Sequence, residues 1–400
     1  MAPQASSGSG AAGTQRPLVF YVSYDGMGEP LGRSQVLAYL FRLTSEYDVT
    51  LFSFEKPDAD FEALKAELTA RGIVWFPLAY HKRPPVLSTL LDALAGLRAL
   101  RAAALKRRPD IVHVRSYVPA LIALWAHRWT AAKLLFDMRG FWADERVEGG
   151  IWPADRPLYR ALYRASKWCE GRFFANADAV VTLTHASVPQ IREWSGRPNL
   201  KVVVIPTCVD LERFTLSEPR TDGPHLTWCG SIGTWYRFDL VPPLAEALGF
   251  PLQVLTRQTQ LASDILDGMP AAVDSLPPDR VPSALCTGDV GLSLCVSSSS
   301  KVASAPTRFA EYLASGMAVV VNPGIGDLVA IVEQHRVGVV LRGQDGGAIR
   351  EAADRVRELV SDPGLAERCR AVARELFDVN EGSRRYAQLY LRLLAGDTGA

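Results

Sequence analysis

The stretch LVFYVSYDGMGEPLGRSQVLAYL (residues 18–40) contains the pattern that decides the fold. An apolar run, Leu18–Ser23, is followed by a glycine-rich turn and then by Ser34–Glu46, in which apolar residues recur at helical spacing. A strand, a turn and a helix in this order are typical of the unit that builds a parallel sheet. The stretch therefore predicts an α/β fold.

The same alternation recurs along both halves of the chain. Strands are predicted at Leu18–Ser23, Val49–Phe54, Ile73–Phe76, Ile111–Val114, Lys133–Asp137, Ala179–Leu183, Val202–Ile205, Leu226–Cys229, Leu252–Thr256, Val290–Cys295, Ala318–Asn322 and Val337–Leu341. Helices are predicted between most of them, notably Phe61–Arg71, Val86–Lys106, Pro157–Phe174 and Ser187–Trp194, and over most of Ile349–Leu394. We expect two facing, doubly wound Rossmann-like domains and a C-terminal helical segment.

A polar stretch broken by Pro and Gly predicts the boundary between the domains. We expect a disordered tail over 1–16, an N-terminal domain over 17–205, a linker over 206–222, a C-terminal domain over 223–378, and a helix over 379–400 that crosses back to the N-terminal domain. Ligands of open parallel sheets bind beyond the carboxyl ends of the strands. Residues that directly follow the strands are therefore the candidates for a site.

Composition excludes several classes of protein. The 400 residues are 48% apolar, which excludes a disordered chain, and 44 basic against 43 acidic residues give no field that would favour nucleic acid. The longest apolar stretch, Tyr117–Ala126, is too short to span a membrane, and the tail lacks the apolar middle of a signal peptide, so we expect a cytoplasmic protein. Six cysteines without CxxC spacing favour buried reduced thiols over metal ligands or disulfides.

The glycine-rich turn after the first strand has two interpretations. Gly26, Gly28 and Gly32 keep side chains away, and Arg33 and Ser34 begin a helix whose free amides attract an anion. The GxGxxxG spacing does not match a dinucleotide fingerprint. A plain tight turn and a phosphate or sugar contact both remain open.

The segment SSSSKVASAPTRFAEYLASGMAVVVNPGIGD (residues 297–327) is the most informative part of the second half. Pro306 suits the first turn of a helix, with Ser304 as a possible cap. Thr307 and Arg308 would then present amides, a hydroxyl and a guanidinium at the positive helix end, which suits a diphosphate. Glu311, one turn further on, could accept both hydroxyls of a ribose; alternatively, Arg308 and Glu311 form a solvated pair.

Seven motifs in order give the chain a family resemblance. They are GMGEPLGRSQVL, DIVHVRSYVPA, FDMRGFWADERVEGG, ADAVVTLTHAS, VVVIPTCVDLERF, WCGSIGTWYRFD and APTRFAEYLASGMAVVVNPGIGD. In these motifs the chain resembles a retaining GT-B glycosyltransferase of family 4, in the branch associated with polysaccharides and natural products. The resemblance implies an N-terminal acceptor domain, a C-terminal donor domain, a nucleoside-diphosphate-sugar donor, and no metal or other cofactor.

The resemblance also implies roles for individual residues on the donor side. Glu311 would bind the ribose, and the helix start at Pro306, Thr307 and Arg308 would hold the diphosphate. The remaining residues that the resemblance places near the donor are Gly230, Ser231 and Gly233 in the second-domain loop, Gly28 and Gly32 across the cleft, and Arg257 near the base or phosphate.

Two departures from the family pattern concern charge. Ala303 stands eight residues before Glu311, where the family usually has a first glutamate, and the Arg and Lys of the usual phosphate loop are replaced by the uncharged residues 231–235. The charge of the leaving group must then be neutralised elsewhere. Arg308 is the first candidate, followed by Arg237 and Arg257.

Two arginines follow strands of the first domain, near where many relatives have a histidine. Arg115 and Arg139 should both point into the cleft, and we expect them to assist Arg308 in catalysis. Acceptor binding is predicted at Ser116, Asp144 and Glu145, the last two on the Gly-flanked loop RGFWADERVEGG. Alternatively, this loop is salt-bridged and shapes the cleft without touching substrate.

The predicted reaction needs no covalent nucleophile. The glycosidic bond of the donor would break heterolytically, and the acceptor hydroxyl of a carbohydrate, lipid-linked or small-molecule partner would attack from the same face. The basic helix Pro157–Phe174 suits either peripheral membrane contact or a solvated face. The alternatives are an inactive GT-B binding or scaffold subunit and a sugar-nucleotide epimerase or oxidoreductase.

Overall fold

The computed structural model describes residues 16–57, 60–216 and 223–396. The predicted tail, except Arg16, lies outside these ranges, as do residues 217–222 of the predicted linker and the last four residues of the predicted terminal helix.

The first half of the chain forms a seven-stranded parallel sheet. Its strands are β1 (Leu18–Ser23), β2 (Asp48–Glu55), β3 (Ile73–Ala79), β4 (Ile111–Arg115), β5 (Lys133–Asp137), β6 (Ala179–Thr182) and β7 (Lys201–Val204). Its helices are α1 (Pro30–Gly32), α2 (Ala38–Leu43), α3 (Phe61–Ala70), α4 (Pro85–Lys106), α5 (Tyr117–Thr130), α6 (Trp142–Glu148), α7 (Pro157–Asn176) and α8 (Val188–Ser195), and a π-helical segment, Arg33–Leu37, joins α1 to α2. The strand order is β3-β2-β1-β4-β5-β6-β7.

The second half forms a six-stranded parallel sheet. Its strands are β8 (Leu226–Cys229), β9 (Leu252–Leu255), β10 (Ala271–Asp274), β11 (Val290–Ser293), β12 (Ala318–Val321) and β13 (Gly338–Val340), in the order β10-β9-β8-β11-β12-β13. The helices that follow are α9 (Val241–Leu248), α10 (Thr259–Ile265), α11 (Val281–Leu285), α12 (Thr307–Ala314), α13 (Leu328–His335), α14 (Gly346–Val360), α15 (Leu365–Leu376) and α16 (Val379–Leu394). The predicted fold class, two Rossmann-like parallel-sheet domains with helices, is confirmed.

Apolar layers on both faces of each sheet explain the apolar strand sequences. All six residues of β1 are buried, because helices cover the sheet on both sides. The helix α16 packs on α2, and Tyr386 and Tyr390 join the apolar cluster on that face of the N-terminal sheet. The end of the chain is therefore part of the N-terminal core.

Three elements differ from the sequence prediction. The apolar stretch that begins at Tyr117 is the helix α5, and the Gly-flanked loop predicted around Asp144 contains the helix α6. The strand β10 was not predicted; it lies at the sheet edge with alternate residues exposed, and only one of its four residues, Val273, is β-branched.

The predicted linker is partly ordered. Cys208 and Val209 are buried, and Val209 exchanges backbone hydrogen bonds with Phe377 and Val379 at the start of α16. The described part of this segment is therefore fixed to the chain that returns from the C-terminal domain.

Candidate active site

A cavity of about 1240 Å³ lies between the two domains. On the N-terminal side, the cavity is lined by the turn after β1, by the segment from α1 to α2, and by Glu67 and Arg71 at the end of α3. On the C-terminal side, it is lined by residues that follow β8 and β9 and by the start of α12. Seven of the predicted site residues line this cavity: Gly28, Gly230, Ser231, Arg257, Thr307, Arg308 and Glu311. The cavity is therefore at the carboxyl ends of the strands, where ligands of such folds bind.

The start of α12 supplies the charged groups of the C-terminal wall. Pro306 has extended backbone and precedes Thr307, the first helical residue, so the first amides of α12 have no partner within the helix. The predicted cap Ser304 does not cap it; its hydroxyl lies 3.5 Å from Glu145 Oε1. Pro306 is therefore the N-cap and does not line the cavity.

Arg308 and Glu311 form an ion pair across one turn of α12, with both side chains on the cavity wall. The pair is not a fully solvated one, since the Glu311 side chain is only 15% exposed. Burial raises the pKa of Glu311 against the opposing effect of Arg308. A cavity that holds a partly buried, paired carboxylate beside free amides can bind hydroxyls and an anion at adjacent positions.

The loop after β8 forms the adjoining part of this wall. Gly230 and Ser231 line the cavity, whereas Gly233, with φ +88°, serves the turn and does not line it. Gln258, which sequence reasoning missed, holds the loop by accepting from the Ile232 amide at 2.7 Å and donating to the Ile232 carbonyl at 3.1 Å. The loop is fixed by this reciprocal pair, and it carries no basic side chain of its own.

On the opposite wall, the turn after β1 is held by Glu55. This buried carboxylate at the end of β2 accepts from the amides of Met27 at 2.7 Å and Gly28 at 3.2 Å. Gly28 lines the cavity, but its amide is already bonded. Gly32 does not line the cavity; a Cβ there would lie 2.0 Å from the Gly26 carbonyl oxygen. The prediction that Gly32 faces the ligand is therefore wrong, because this glycine is needed for the close approach of the turn to the helix.

Gly32→Ala is expected to lower the free energy of unfolding by about 1–3 kcal/mol, because the backbone of the turn must move away. The matched control is Gly171→Ala in α7, where a Cβ would meet nothing within 4 Å, so stability should stay equal or rise. Urea unfolding of both variants measures the difference. Equal stability of Gly32→Ala and wild type would contradict the assigned packing role.

Arg115 and Arg139 surround a buried carboxylate and do not line the cavity. Asp137 lies 3.7 Å from the guanidinium of each, and Arg115 also donates to Asp25 at 3.1 Å. Arg115 is buried, and the Arg139 side chain is only 10% exposed. The prediction that Arg115 points into the cleft is therefore wrong, because its charge faces the buried Asp137. Arg139 faces Asp137 as well, and it also donates at 3.5 Å to Gln35, which lines the cavity.

Further contacts complete this buried network. Tyr386 of α16 donates to Asp137 at 3.0 Å, and His113 lies 3.5 Å from the same carboxylate while its Nδ1 is 2.6 Å from the Tyr390 hydroxyl. Burial opposes the charge of Asp137, but Arg139, His113 and Arg115 together lower its pKa to about 2. Burial lowers the pKa of His113, which favours the neutral ring.

The three predicted acceptor residues also lie away from the cavity lining. Asp144 accepts from Tyr163 at 2.9 Å and Lys167 at 3.1 Å, and Glu145 pairs with Lys301 at 2.9 Å. Ser116 precedes α5 with φ +70° and makes no side-chain cap. Asp144 and Glu145 therefore match the alternative of a salt-bridged segment that shapes the cleft.

The segment Ser299–Ala303, a 3-10 turn, joins the two domains beside the cleft. Glu148 of α6 accepts from both Ser299 and Ser300. Ala303, at the position of the family's first glutamate, is fully buried in an apolar cluster of the N-terminal domain. A glutamate in that position would place a charge inside an apolar contact, which is costly without a partner.

The cysteines and carboxylates show no sign of a metal centre in the part of the chain that is described. All six cysteines are free thiols, four of them buried. No group of three or more His, Cys, Asp or Glu side chains that could hold a metal occurs within the described ranges. None of the helices over those residues is long and apolar enough to cross a membrane.

Comparison with known structures defines the class of fold as GT-B. Sucrose-phosphate synthase from Thermosynechococcus elongatus is similar with a TM-score of 0.71 at 15% identity, covering 95% of this chain and 100% of that chain. HepE from Anabaena, in complex with UDP and glucose, is similar with a TM-score of 0.65 at 14% identity over 94% and 99% of the two chains. AviGT4, a glycosyltransferase involved in avilamycin A biosynthesis, gives 0.59 at 17% identity over 95% and 98%.

Part of the N-terminal half also matches a known protein family. Residues 36–208 match the family described as glycosyl transferase 4-like domain. No curated protein sequence matches significantly. This match covers less than half of the chain and agrees with the resemblance that the motifs indicated, and the GT-B fold implied by that resemblance is confirmed.

Proposed function

We propose that the chain transfers a sugar from a nucleoside diphosphate to an acceptor hydroxyl, with the interdomain cavity as the donor site. The observation that carries this proposal is the Arg308–Glu311 pair at the start of α12, on the cavity wall. The family match and the UDP and UDP-glucose held by the similar HepE structures support the same chemistry.

The donor would bind along the C-terminal wall. Glu311 accepts the two ribose hydroxyls, and the amides at Thr307 and Arg308 hold the diphosphate at the positive end of α12. Arg308 is paired with Glu311, and a bound diphosphate would give its guanidinium a second anionic partner. Arg257, on the same wall, is the next positive charge available to the phosphates.

The proposed reaction retains the anomeric configuration and uses no metal. The glycosidic bond breaks with both electrons leaving on the diphosphate, whose charge Arg308 and the helix amides stabilise. The acceptor hydroxyl attacks the same face, and a phosphate oxygen takes its proton. Arg115 and Arg139, expected to assist, are instead assigned to the Asp137 network.

The acceptor is proposed to be a carbohydrate, lipid-linked or small-molecule hydroxyl. The cavity volume exceeds the roughly 300–1,000 Å³ typical of small-molecule pockets, so it can hold a donor and part of an acceptor together. Incubation with a panel of nucleoside-diphosphate sugars and acceptors, followed by NMR of the product's anomeric proton, tests both transfer and stereochemistry. An inverted product would overturn the proposed mechanism.

Ala303 and the uncharged loop at Ser231 favour a second candidate, a nucleotide-binding subunit without catalysis. The two candidates differ in one result. Donor binding with no transfer to any acceptor of the panel favours the subunit; turnover favours the transferase.

Glu311→Ala is expected to weaken nucleoside-diphosphate binding about tenfold or more, because two charge-assisted hydrogen bonds to the ribose are lost. Burial raises the pKa of Glu311, so binding by the wild type should weaken as the pH falls toward that pKa and the carboxylate is protonated. Calorimetric titration at several pH values measures both effects.

Two variants control this experiment. Glu311→Gln should bind weakly with little dependence on pH in the acidic range. Glu67→Ala removes a carboxylate from the far wall of the same cavity, where Glu67 pairs with Arg33, and should leave nucleotide affinity unchanged. Full affinity in Glu311→Ala would remove this residue from the donor site.

A further inference from the structure

One face of α4 is apolar although it is exposed. Val86, Leu87, Leu90, Leu91 and Leu94 are between 38% and 55% exposed, and Leu105 is 80% exposed. At 3.6 residues per turn these six side chains fall within an arc of roughly 140°. Ala93, Leu100 and Ala103 lie outside this arc and are buried against the N-terminal sheet. The first half of α4 is therefore apolar toward the sheet and along its outer stripe, Arg98 and Arg101 fall within the same arc in its second half, and none of the described elements covers the stripe.

Two neighbouring helices extend this exposed apolar surface. The helix α5 packs between α4 and α7 on the same side of the sheet. Trp125 and Trp129, one turn apart on α5, are 45% and 40% exposed, and Leu158 and Trp168 of α7 are 65% and 67% exposed. Ten of the nineteen exposed large apolar side chains among the described residues thus belong to α4, α5 and α7. We refer to the outer side of these three helices as the α4 face.

The charges of the α4 face are of one sign. The only acidic residues in the three helices are Asp92 and Glu170, and both are buried. The exposed charged residues are all basic: Arg98, Arg101, Lys106, Arg128, Arg160, Arg164 and Arg172. Arg101 lies over the ring of Trp129 at 6.0 Å, which places a cation directly beside the apolar stripe. The remaining basic side chain of α7, Lys167, pairs with Asp144 and Glu170.

We propose that the α4 face binds the surface of an anionic lipid membrane. Exposed leucines and tryptophans can enter the boundary between headgroups and acyl chains, while surrounding arginines contact lipid phosphates. A second copy of this chain bound face to face would bring arginines opposite arginines, which disfavours self-association by this surface. The proposal does not depend on the transfer reaction.

The position of α4 relative to the cavity follows from the order of the elements. Because α4 follows β3, its first turns begin at the carboxyl edge of the N-terminal sheet, the edge on which the cavity lies. The N-terminal helices that line the cavity, α2 and α3, pack on the other face of this sheet, so α4 shares the edge but not the face of the cavity wall.

Vesicle flotation tests the proposal. The full chain is expected to float with vesicles of phosphatidylcholine and phosphatidylglycerol, and at least about tenfold less with phosphatidylcholine alone or at high salt. Leu87→Ser/Leu91→Ser should lower binding to the anionic vesicles about tenfold or more. The matched control is Leu261→Ser/Ile265→Ser, which removes two exposed apolar side chains with the same spacing from α10 and should leave binding unchanged.

The outcomes separate the proposal from its rivals. The four substituted side chains are all exposed, so the unfolding temperature should be unchanged in both variants. The comparison of anionic with neutral vesicles uses only the wild-type chain. Failure of the wild type to bind anionic vesicles would overturn the proposal. So would a dimer in solution that Leu87→Ser/Leu91→Ser dissociates, because the α4 face would then be covered by a second copy.

Discussion

Replacing Arg308 with alanine is expected to lower the rate of glycosyl transfer by about 10²–10³-fold, the loss typical of removing one group that stabilises developing charge. The loop 231–235 carries no cation, and Arg115 and Arg139 face Asp137, so Arg308 is the charged side chain best placed for the departing diphosphate. The measurement is kcat with a saturating donor, since an interaction made mainly in the transition state lowers kcat.

Two comparisons make this result specific. Arg308→Lys keeps the positive charge but lacks the planar guanidinium and its paired N–H donors, so its rate should lie between those of Arg308→Ala and the wild type. Arg257→Ala removes another cation of the cavity lining and should have a smaller effect on kcat. If Arg308→Ala retained wild-type kcat while Arg257→Ala lost activity, the role assigned to Arg308 would belong to Arg257.

Replacing Asp137 with asparagine is expected to lower the free energy of unfolding by about 3–5 kcal/mol at neutral pH, because two largely buried guanidinium groups lose the carboxylate that they share. The substitution is nearly isosteric, so the loss reports charge more than packing. Urea unfolding monitored by fluorescence measures it.

The pH dependence of this loss has a definite sign. The pKa of Asp137 is lowered to about 2 in the folded protein, below the roughly 3.9 of an unfolded aspartate. Its ionisation therefore stabilises the fold above the unfolded pKa, and this contribution is lost as the pH falls from about 4 toward 2. The difference in stability between wild type and Asp137→Asn should shrink over that range. A difference that stayed constant down to pH 2 would contradict the lowered pKa.

The sequence predicted the strands well because most of them are short apolar runs that are buried on both faces. The limits of β1, β5 and β8 agree with the predicted ones, and most others differ by one or two residues. The helix α6 was missed since flanking glycines in RGFWADERVEGG suggested a loop, whereas its seven residues are fixed by contacts with the segment Ser299–Ala303. Such a contact between distant segments leaves no local pattern in the sequence.

The candidate site likewise contains some residues that the sequence could predict and others that it could not. Arg308 and Glu311 could be predicted together because they are three residues apart on one helix. The inward orientation of Arg115 could not, since its partners Asp25 and Asp137 come from two other segments that only the strand order brings together. The pair of Glu145 with Lys301 crosses from one domain to the other and was equally invisible in the sequence.

The central claim is that the cavity beside α12 binds a nucleoside diphosphate, and calorimetric titration of the full chain with a panel of nucleoside diphosphates tests it most directly. We predict that at least one member binds with one site per chain, and that Arg308→Ala and Glu311→Ala each weaken its binding while their unfolding temperatures without ligand stay close to that of the wild type. No binding by any member of the panel, or unchanged affinity in both variants, would contradict the claim.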